Sequence, residues 1–336
     1  MGKPRSDERT AGVHHYSRSE RPLNKPMIGI VSLLILLFLF FIGFLRAPFE
    51  PFETLRNFWV SSAMTSMNHQ YLAKWFFSDA EIQKILKSNQ VVSMGNSNPS
   101  LINTRGTSGN NGMELLDVSQ KGFKGYLLKI NDPARVKVGA TRFLGKTGER
   151  AEDIAAETGA VAVINGGEFN DPLGNGNGGQ PLGILISGGK ILYKDRGKMY
   201  DIIGMDRNNV LVLGHYSLSQ IQKMGIRDAV TFSPFLVVNG QRAITRGDGG
   251  WGIAPRTAIG QLRDGTILML VIDGRQIGSL GATLKEVQDI MLEYGAYNVA
   301  NLDGGASTIL YYQHEIINHP SSQYGERRIP SFFIVK

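Results

Sequence analysis

The chain has no cysteine among its 336 residues. That absence removes disulfides, thiol nucleophiles and every cysteine-based zinc or iron–sulfur site, but leaves the compartment open. Charge is also scarce, at 19% of residues, and unevenly placed. The formal net charge is +7, yet residues 1–26 hold six Lys/Arg (Lys3, Arg5, Arg9, Arg18, Arg21, Lys25) against three acids (Asp7, Glu8, Glu20), which leaves +4 over the remaining 310. So small an excess, without a Lys/Arg run or interleaved aromatics, points to no nucleic-acid partner. The six histidines (14, 15, 69, 215, 314, 319) show no HExxH or other paired metal spacing. Ser307 lacks a GxSxG elbow and no histidine stands in a triad frame, so acyl-enzyme chemistry is not expected.

What is present begins with a polar stretch. Residues 1–26 carry Pro22 and Pro26 and no apolar period, which reads as a disordered cytoplasmic tail. Its first six residues fit the loose myristoylation pattern, a match read as chance beside the membrane segment that follows. Residues 27–45 are nineteen uncharged, mostly large apolar residues, long enough to cross a bilayer at about 1.5 Å per residue. Arg46-Ala-Pro-Phe-Glu offers no small-x-small cleavage site, so this segment is expected as an uncleaved signal anchor in the lipid bilayer. The basic tail before it places the amino terminus in the cytoplasm and the rest of the chain outside. Residues 46–110 are expected as a helical stalk and linker: helical spacing runs from Phe52 to Ser88, with a capping box at Ser78–Glu81, and 89–112 are dense in Asn, Ser and Gly.

Residues 111–336 read as one extracytoplasmic domain. The 41 glycines of the whole chain are aperiodic and suit many tight turns. Strand patterns at 122–130, 134–138 and 182–193, the last a hairpin on Ser187-Gly-Gly189, alternate with a few helices. The class is α+β: a mixed β-sheet domain with flanking helices, preceded by the transmembrane helix and the stalk. Three segments share one plan of helix, glycine and apolar strand, at 149–164, 218–232 and 283–302. In the last, Thr283–Glu286 is a capping box and Leu284, Val287, Ile290, Met291 and Tyr294 form a stripe that belongs to the core.

Three apolar strands end in a polar residue followed by glycine: 161–164 in Asn165-Gly166-Gly167-Glu168, 267–272 in Asp273-Gly274-Arg275, and 297–302 in Asp303-Gly304-Gly305-Ala306-Ser307. If these strands are neighbours and run the same way, the polar groups meet at one sheet rim, where open sheets bind ligands. Bare glycine backbone at 304 and 305 would let a ligand approach and its amides receive an anion. The bland reading of Asp303-Gly304 is a hairpin turn, with 307–312 as the return strand. Arg256 and Arg275 suit planar bidentate recognition of phosphate or carboxylate, against a bland reading of salt bridges to Asp273 or Asp303. The Gly-rich run 174–179 reads as a loop or lid near the site, with neither P-loop nor EF-hand spacing. Oxygens at 165–171, 273 and 303 are of the kind Ca2+ takes, and no other cofactor or metal is indicated.

Asn165-Gly-Gly-Glu-Phe169, Ala254-Pro-Arg-Thr-Ala-Ile-Gly260, Val271-Ile-Asp-Gly-Arg275 and Asn301-Leu-Asp-Gly-Gly-Ala-Ser307, in this order, resemble the motifs of the phosphodiester glycosidase family over about 115–336. Many members have Phe at the position of Glu168 and Gly at that of Ala306. The resemblance implies a carbohydrate phosphodiester substrate, such as N-acetylglucosamine-1-phosphodiester in a cell-envelope or exopolysaccharide glycan. Its hydrolysis would fall between the anomeric carbon and the phosphate oxygen. For that chemistry the expected carboxylates are Asp303 and Asp273, their order unassigned, with Glu168 beside them; phosphate contacts are expected from Arg256 and Arg275, and substrate contacts from Asn165, Gly166, Gly167, Thr257, Gly304, Gly305 and Ser307. Two competing readings are a non-catalytic glycan-binding or polysaccharide-assembly module and a metal-assisted phosphodiesterase.

Overall fold

The computed structural model describes residues 25–66, 69–107, 109–171, 176–322 and 325–336. The expected tail therefore lies outside the described residues up to position 24, as do Gly174 and Asn175 of the glycine-rich run. The chain forms two compact units, divided between Pro48 and Phe49. In the first, the helix Lys25–Arg46 contains the whole expected span, and by length and composition it is able to cross a membrane. Its large apolar side chains from Met27 to Phe40 are exposed, as lipid contact requires.

The second unit runs from Phe49 to Lys336 and takes in the expected stalk and linker. Helices Phe52–Thr65, Tyr71–Lys74 and Asp79–Ser88 pack on one another through Val60, Ala63, Ala73, Ile82 and Ile85. The Ser78–Glu81 capping box forms as expected, with the Ser78 amide donating to Glu81 Oε2 at 2.8 Å. Residues 89–107 are no free linker. Buried Asn89 hydrogen-bonds Asp248, Val92 N donates to the Ala243 carbonyl at 2.9 Å, Ser97 N to Leu213 at 2.8 Å, and Asn103 N to Arg263 at 2.8 Å. The polar side chains that make this stretch look like a linker instead satisfy the backbone of the domain it straps, which moves the boundary expected near 110 to residue 49.

Three sheets follow, and every pairing between their strands is antiparallel. The seven-stranded sheet has the order Met113–Asp117, Gly125–Ile130, Ile267–Ile272, Arg256–Gln261, Asn298–Asn301, Phe235–Val238, Gln241–Arg242. One five-stranded sheet is ordered Glu315–Ile316, Leu310–Tyr312, Ala162–Asn165, Ser331–Val335, Val136–Ala140, and the other Lys190–Lys194, Ile184–Ser187, Asp228–Thr231, Met199–Met205, Leu211–Ser217. The hairpin on Ser187-Gly-Gly forms, with both Gly188 (φ +57°) and Gly189 (φ +79°) in the left-handed region that a two-residue turn needs.

The repeated helix–glycine–strand plan also forms. Helices Ala151–Thr158, Leu218–Lys223 and Leu284–Glu293 are followed by Gly159, Gly225 and Gly295, all with positive φ. Yet the three strands they lead into, Ala162–Asn165, Asp228–Thr231 and Asn298–Asn301, fall one in each sheet. Of the three strands that end in a polar residue and glycine, Ile267–Ile272 and Asn298–Asn301 share the large sheet on either side of Arg256–Gln261, whereas Ala162–Asn165 belongs to another sheet, so the expected adjacency holds for two of the three.

The central core draws on all three sheets, through Leu128, Ile164, Val230, Ile259, Met269 and Phe333. On the other face of the large sheet, Leu284, Val287, Ile290 and Met291 pack on Leu127, Leu268, Leu270 and Val299, so the helical stripe is core as read. At about 1.5–3 kcal/mol for each buried side chain, this stripe holds the helix in place. Ile267–Ile272 is covered on both faces, which explains its unbroken apolar run.

Candidate active site

The rim forms where the large sheet reverses. Arg256–Gln261 lies antiparallel between Ile267–Ile272 and Asn298–Asn301, with Arg256 opposite Ile272 and Ala258 opposite Asn301. The two outer strands therefore run the same way, and Asp273 and Asp303 leave the sheet at the end where Arg256 and Thr257 enter it. Asn165 reaches the same place from a different sheet. Its amide donates to the Asp303 carbonyl at 2.5 Å, while its Oδ1 accepts from Thr257 Oγ1 at 2.7 Å and Ile309 N at 3.2 Å. Asn165 and Thr257 are fully buried and occupied in joining the sheets, a positioning role in place of the expected substrate contacts.

The glycines divide in the same manner. A Cβ on Gly166 would come within 2.7–2.8 Å of Ser331, and one on Gly167 within 2.6 Å of the Thr231 carbonyl. Both let the loop pass tightly between two sheets rather than make room for a ligand. Beyond Asp303, the Gly304 amide donates to Asp303 Oδ1 at 3.0 Å and the Gly305 amide to the Pro255 carbonyl at 3.0 Å. The amides expected to receive an anion are thus already used. Nor is this a hairpin, because Leu310–Tyr312 pairs with Ala162–Asn165 in another sheet.

The two expected phosphate arginines have opposite surroundings. Arg256 is 4% exposed. Its Nε donates to the Ala282 carbonyl at 3.0 Å and its Nη2 to Trp251 and Gly252 at 2.9 and 2.7 Å. Burial, with Arg275 nearby, pushes its guanidinium down to about 10. It clamps a loop, and neither Asp273 nor Asp303 is its partner. Arg275 is exposed and left-handed at φ +59°, a conformation a non-glycine residue holds only under constraint. A Cβ placed on Gly305 would lie 3.4 Å from both its terminal nitrogens, so the guanidinium rests on the Asp303 loop. Among the described residues it has no carboxylate partner.

The acids divide likewise. Asp273 is 2% exposed, and its carboxylate accepts from His319 N at 2.9 and 3.1 Å and from Asn318 Nδ2 at 3.1 Å. Burial raises its pKa against those hydrogen bonds. Both oxygens are engaged in holding the 318–319 turn, a poor state for the catalytic role the motif suggests. Asp303 is only partly covered, and burial pushes its carboxyl up to about 6, with the charge of Glu168 acting in the same direction. Ser307, Arg327 and the Gly304 amide oppose that rise. The Glu168 backbone is pinned by hydrogen bonds to Thr231 and Leu182 at 3.0 Å each. Its side chain is exposed, has no hydrogen-bond partner among the described residues, and is raised by the protein packed around it.

Sequence reasoning missed Arg327. It pairs with Asp171 at 2.6 Å, lies 5.2 Å from the centroid of the Phe169 ring, and favours the charged form of Asp303. No motif marks it, and only the return of the chain beside the Asn165 loop brings it here. Among the described residues no group of three or more His, Asp or Glu side chains has a geometry that could hold a metal ion.

The phosphodiester glycosidase family model matches residues 158–336, a span that holds all four motifs. The chain is 28% identical over 217 residues to the SPbeta prophage-derived uncharacterized protein YomE of Bacillus subtilis (strain 168), covering 60% of this chain and 31% of that one. It is 27% identical over 194 residues to the N-acetylglucosamine-1-phosphodiester alpha-N-acetylglucosaminidase of Bos taurus, covering 51% and 34%. The chain thus spans about a third of the length of these relatives. In fold it is similar to the catalytic domain of the zebrafish N-acetylglucosamine-1-phosphodiester alpha-N-acetylglucosaminidase auto-inhibited by its pro-peptide, with a TM-score of 0.55, 22% identity, and coverage of 67% of this chain and 82% of that one. With its four ordered motifs inside the matched span and gathered about one sheet rim, the chain belongs to the phosphodiester glycosidase family.

Proposed function

We propose that the chain is a membrane-anchored, extracytoplasmic hydrolase of a sugar-1-phosphodiester, N-acetylglucosamine-1-phosphodiester being the first candidate, in a cell-envelope or exopolysaccharide glycan. One observation carries the reading. The loop that carries Glu168 is tied to the loop of Asp303 by Asn165 and Gly166, and Arg275, with no carboxylate partner among the described residues, rests on the Asp303 loop. The motif match to the family and the apolar helix Lys25–Arg46 support the activity and the anchor respectively.

In this mechanism water forms the new bond to the anomeric carbon, and the bond from that carbon to the phosphate oxygen breaks. The electron pair leaves with the phosphate, giving free sugar and a phosphomonoester. Asp303 faces the positive charge that develops at the anomeric carbon, and Glu168 takes the proton of the water. The phosphate is a weak base and needs little acid assistance, so Arg275 acts by neutralising its charge. Asp273, Arg256, Asn165 and Thr257 hold the loops that present these three groups.

The full chain incubated with an N-acetylglucosamine-1-phosphodiester should release free N-acetylglucosamine. Release of sugar phosphate instead, abolished by a chelator, would replace this chemistry with cleavage at phosphorus. Tight binding with no product would make the chain a glycan-binding module.

A further inference from the structure

The loop that carries Arg275 is built inside out. Gln276 and Ser279 face each other in a tight turn, Gln276 N donating to the Ser279 carbonyl at 3.0 Å, with Ile277 and Gly278 (φ +83°) at the corner. Its polar side chains turn inward: Gln276 Nε2 donates to the His319 carbonyl at 2.5 Å, while Ser279 Oγ donates to the Asp273 carbonyl at 2.8 Å and accepts from Lys124 N at 3.0 Å. Its apolar side chains turn outward, with Ile277 fully exposed and Leu280 63% exposed. Hydrogen bonds from Arg275 N to Leu280 and from Leu280 N to Gly122 pin the base, so this display is held rather than incidental.

The neighbouring loop repeats the arrangement. Ala254 and Ala282 pair across the two loops at 3.0 and 3.2 Å, and beside that junction Trp251 and Ile253 are exposed at 36% and 37%. Trp251 is held from behind by Arg256, by Thr65 and by a T-shaped contact with Phe232. Single exposed apolar residues are ordinary, but a strip of four on two pinned adjoining loops marks a binding surface. The strip adjoins Arg275, a cation with no carboxylate partner among the described residues, and the Gln276 amide nitrogen and Ser279 hydroxyl are already committed. A second sugar would meet little here that recognises hydroxyls, whereas a ligand with an anionic phosphodiester followed by an apolar tail matches both parts.

We infer that the phosphodiester cleaved at this site carries a lipid aglycone, which lies along Ile277, Leu280, Trp251 and Ile253 while Arg275 holds its phosphate. This deepens the function proposed above and rests on it. The test uses the full chain with the methyl and decyl diesters of N-acetylglucosamine-1-phosphate, each below its micelle concentration. The decyl diester should show a kcat/KM at least about tenfold higher, since each fully buried methylene is worth roughly a factor of four. The double variant Ile277→Ser/Leu280→Ser should lower that decyl-to-methyl ratio by at least about fivefold, and its solvent-facing positions leave the fold intact. Equal kcat/KM for the two diesters, or a ratio the double variant does not move, overturns the lipid aglycone while leaving the hydrolase in place. Release of sugar from neither diester removes the hydrolase reading and this inference with it.

Discussion

Arg256 and Asp273 come from the same set of motifs as Arg275 and Asp303, yet the two pairs do opposite work. The first pair is buried, and its side chains hydrogen-bond to Trp251, Gly252, Ala282, Asn318 and His319. The second faces the rim, where Asp303 is raised to about 6 and Arg275 lacks a carboxylate partner among the described residues. The contrast teaches that a motif brings charged residues to a place, while the hydrogen bonds already made there decide which are free to meet a substrate.

Substitutions test this contrast directly. Asp303→Asn should lower kcat by at least about a hundredfold, as loss of a group that stabilises transition-state charge does, with no loss of stability in the thermal melt. Unchanged turnover would sink its assignment. Arg256→Met should instead act on stability. It removes three hydrogen bonds and leaves the Gly252 carbonyl without a donor among the described residues, while Ala282 keeps Ala254 N and Trp251 keeps Thr65 Oγ1, and should cost about 1–3 kcal/mol in denaturant unfolding. Asp273→Ala belongs with it, at about 1–3 kcal/mol for the unsatisfied His319 amide and the bond lost from Asn318, which keeps Thr308 and Leu310. If either lowered turnover without lowering stability, the division between the pairs would fail. Arg275→Met should raise KM for the diester by about tenfold, as loss of one charge-assisted contact does, and leave the melting temperature nearly unchanged.

A further test concerns pH. The folded pKa of Asp303 is raised to about 6 from an ordinary value of 3.8, so the folded state holds its proton more tightly than the unfolded chain does. Its contribution to stability is therefore full below about pH 4 and is lost as pH rises through about 6. Asp303→Asn should flatten that part of the stability–pH curve. Glu326, raised to about 7 by burial, should leave a remaining slope at higher pH.

Much of the local structure is readable along the chain. The capping boxes at Ser78 and Thr283, the Gly188-Gly189 turn and the stripe from Leu284 to Met291 all rest on contacts within a few residues, where spacing alone carries the information. Sheet membership is not readable in this way. Three near-identical helix–glycine–strand segments enter three different sheets, because pairing depends on surfaces supplied from far away in sequence. The 89–107 strap was hidden for the same reason: its Asn and Ser side chains look solvated until the backbone groups they satisfy come into view.

The Asp303 loop shows where the division lies. Sequence by itself determined that a carboxylate, two glycines and a hydroxyl follow an apolar strand, and that such strand ends recur. Only the tertiary structure decided that the Gly304 and Gly305 amides are consumed, that Asn318 and His319 take up Asp273, and that Arg327, marked by no motif, stands near Asp303. The physical reason is that residue type and spacing are properties of the chain, whereas an unsatisfied charge is a property of its neighbours. Those neighbours are set by the packing of the whole core.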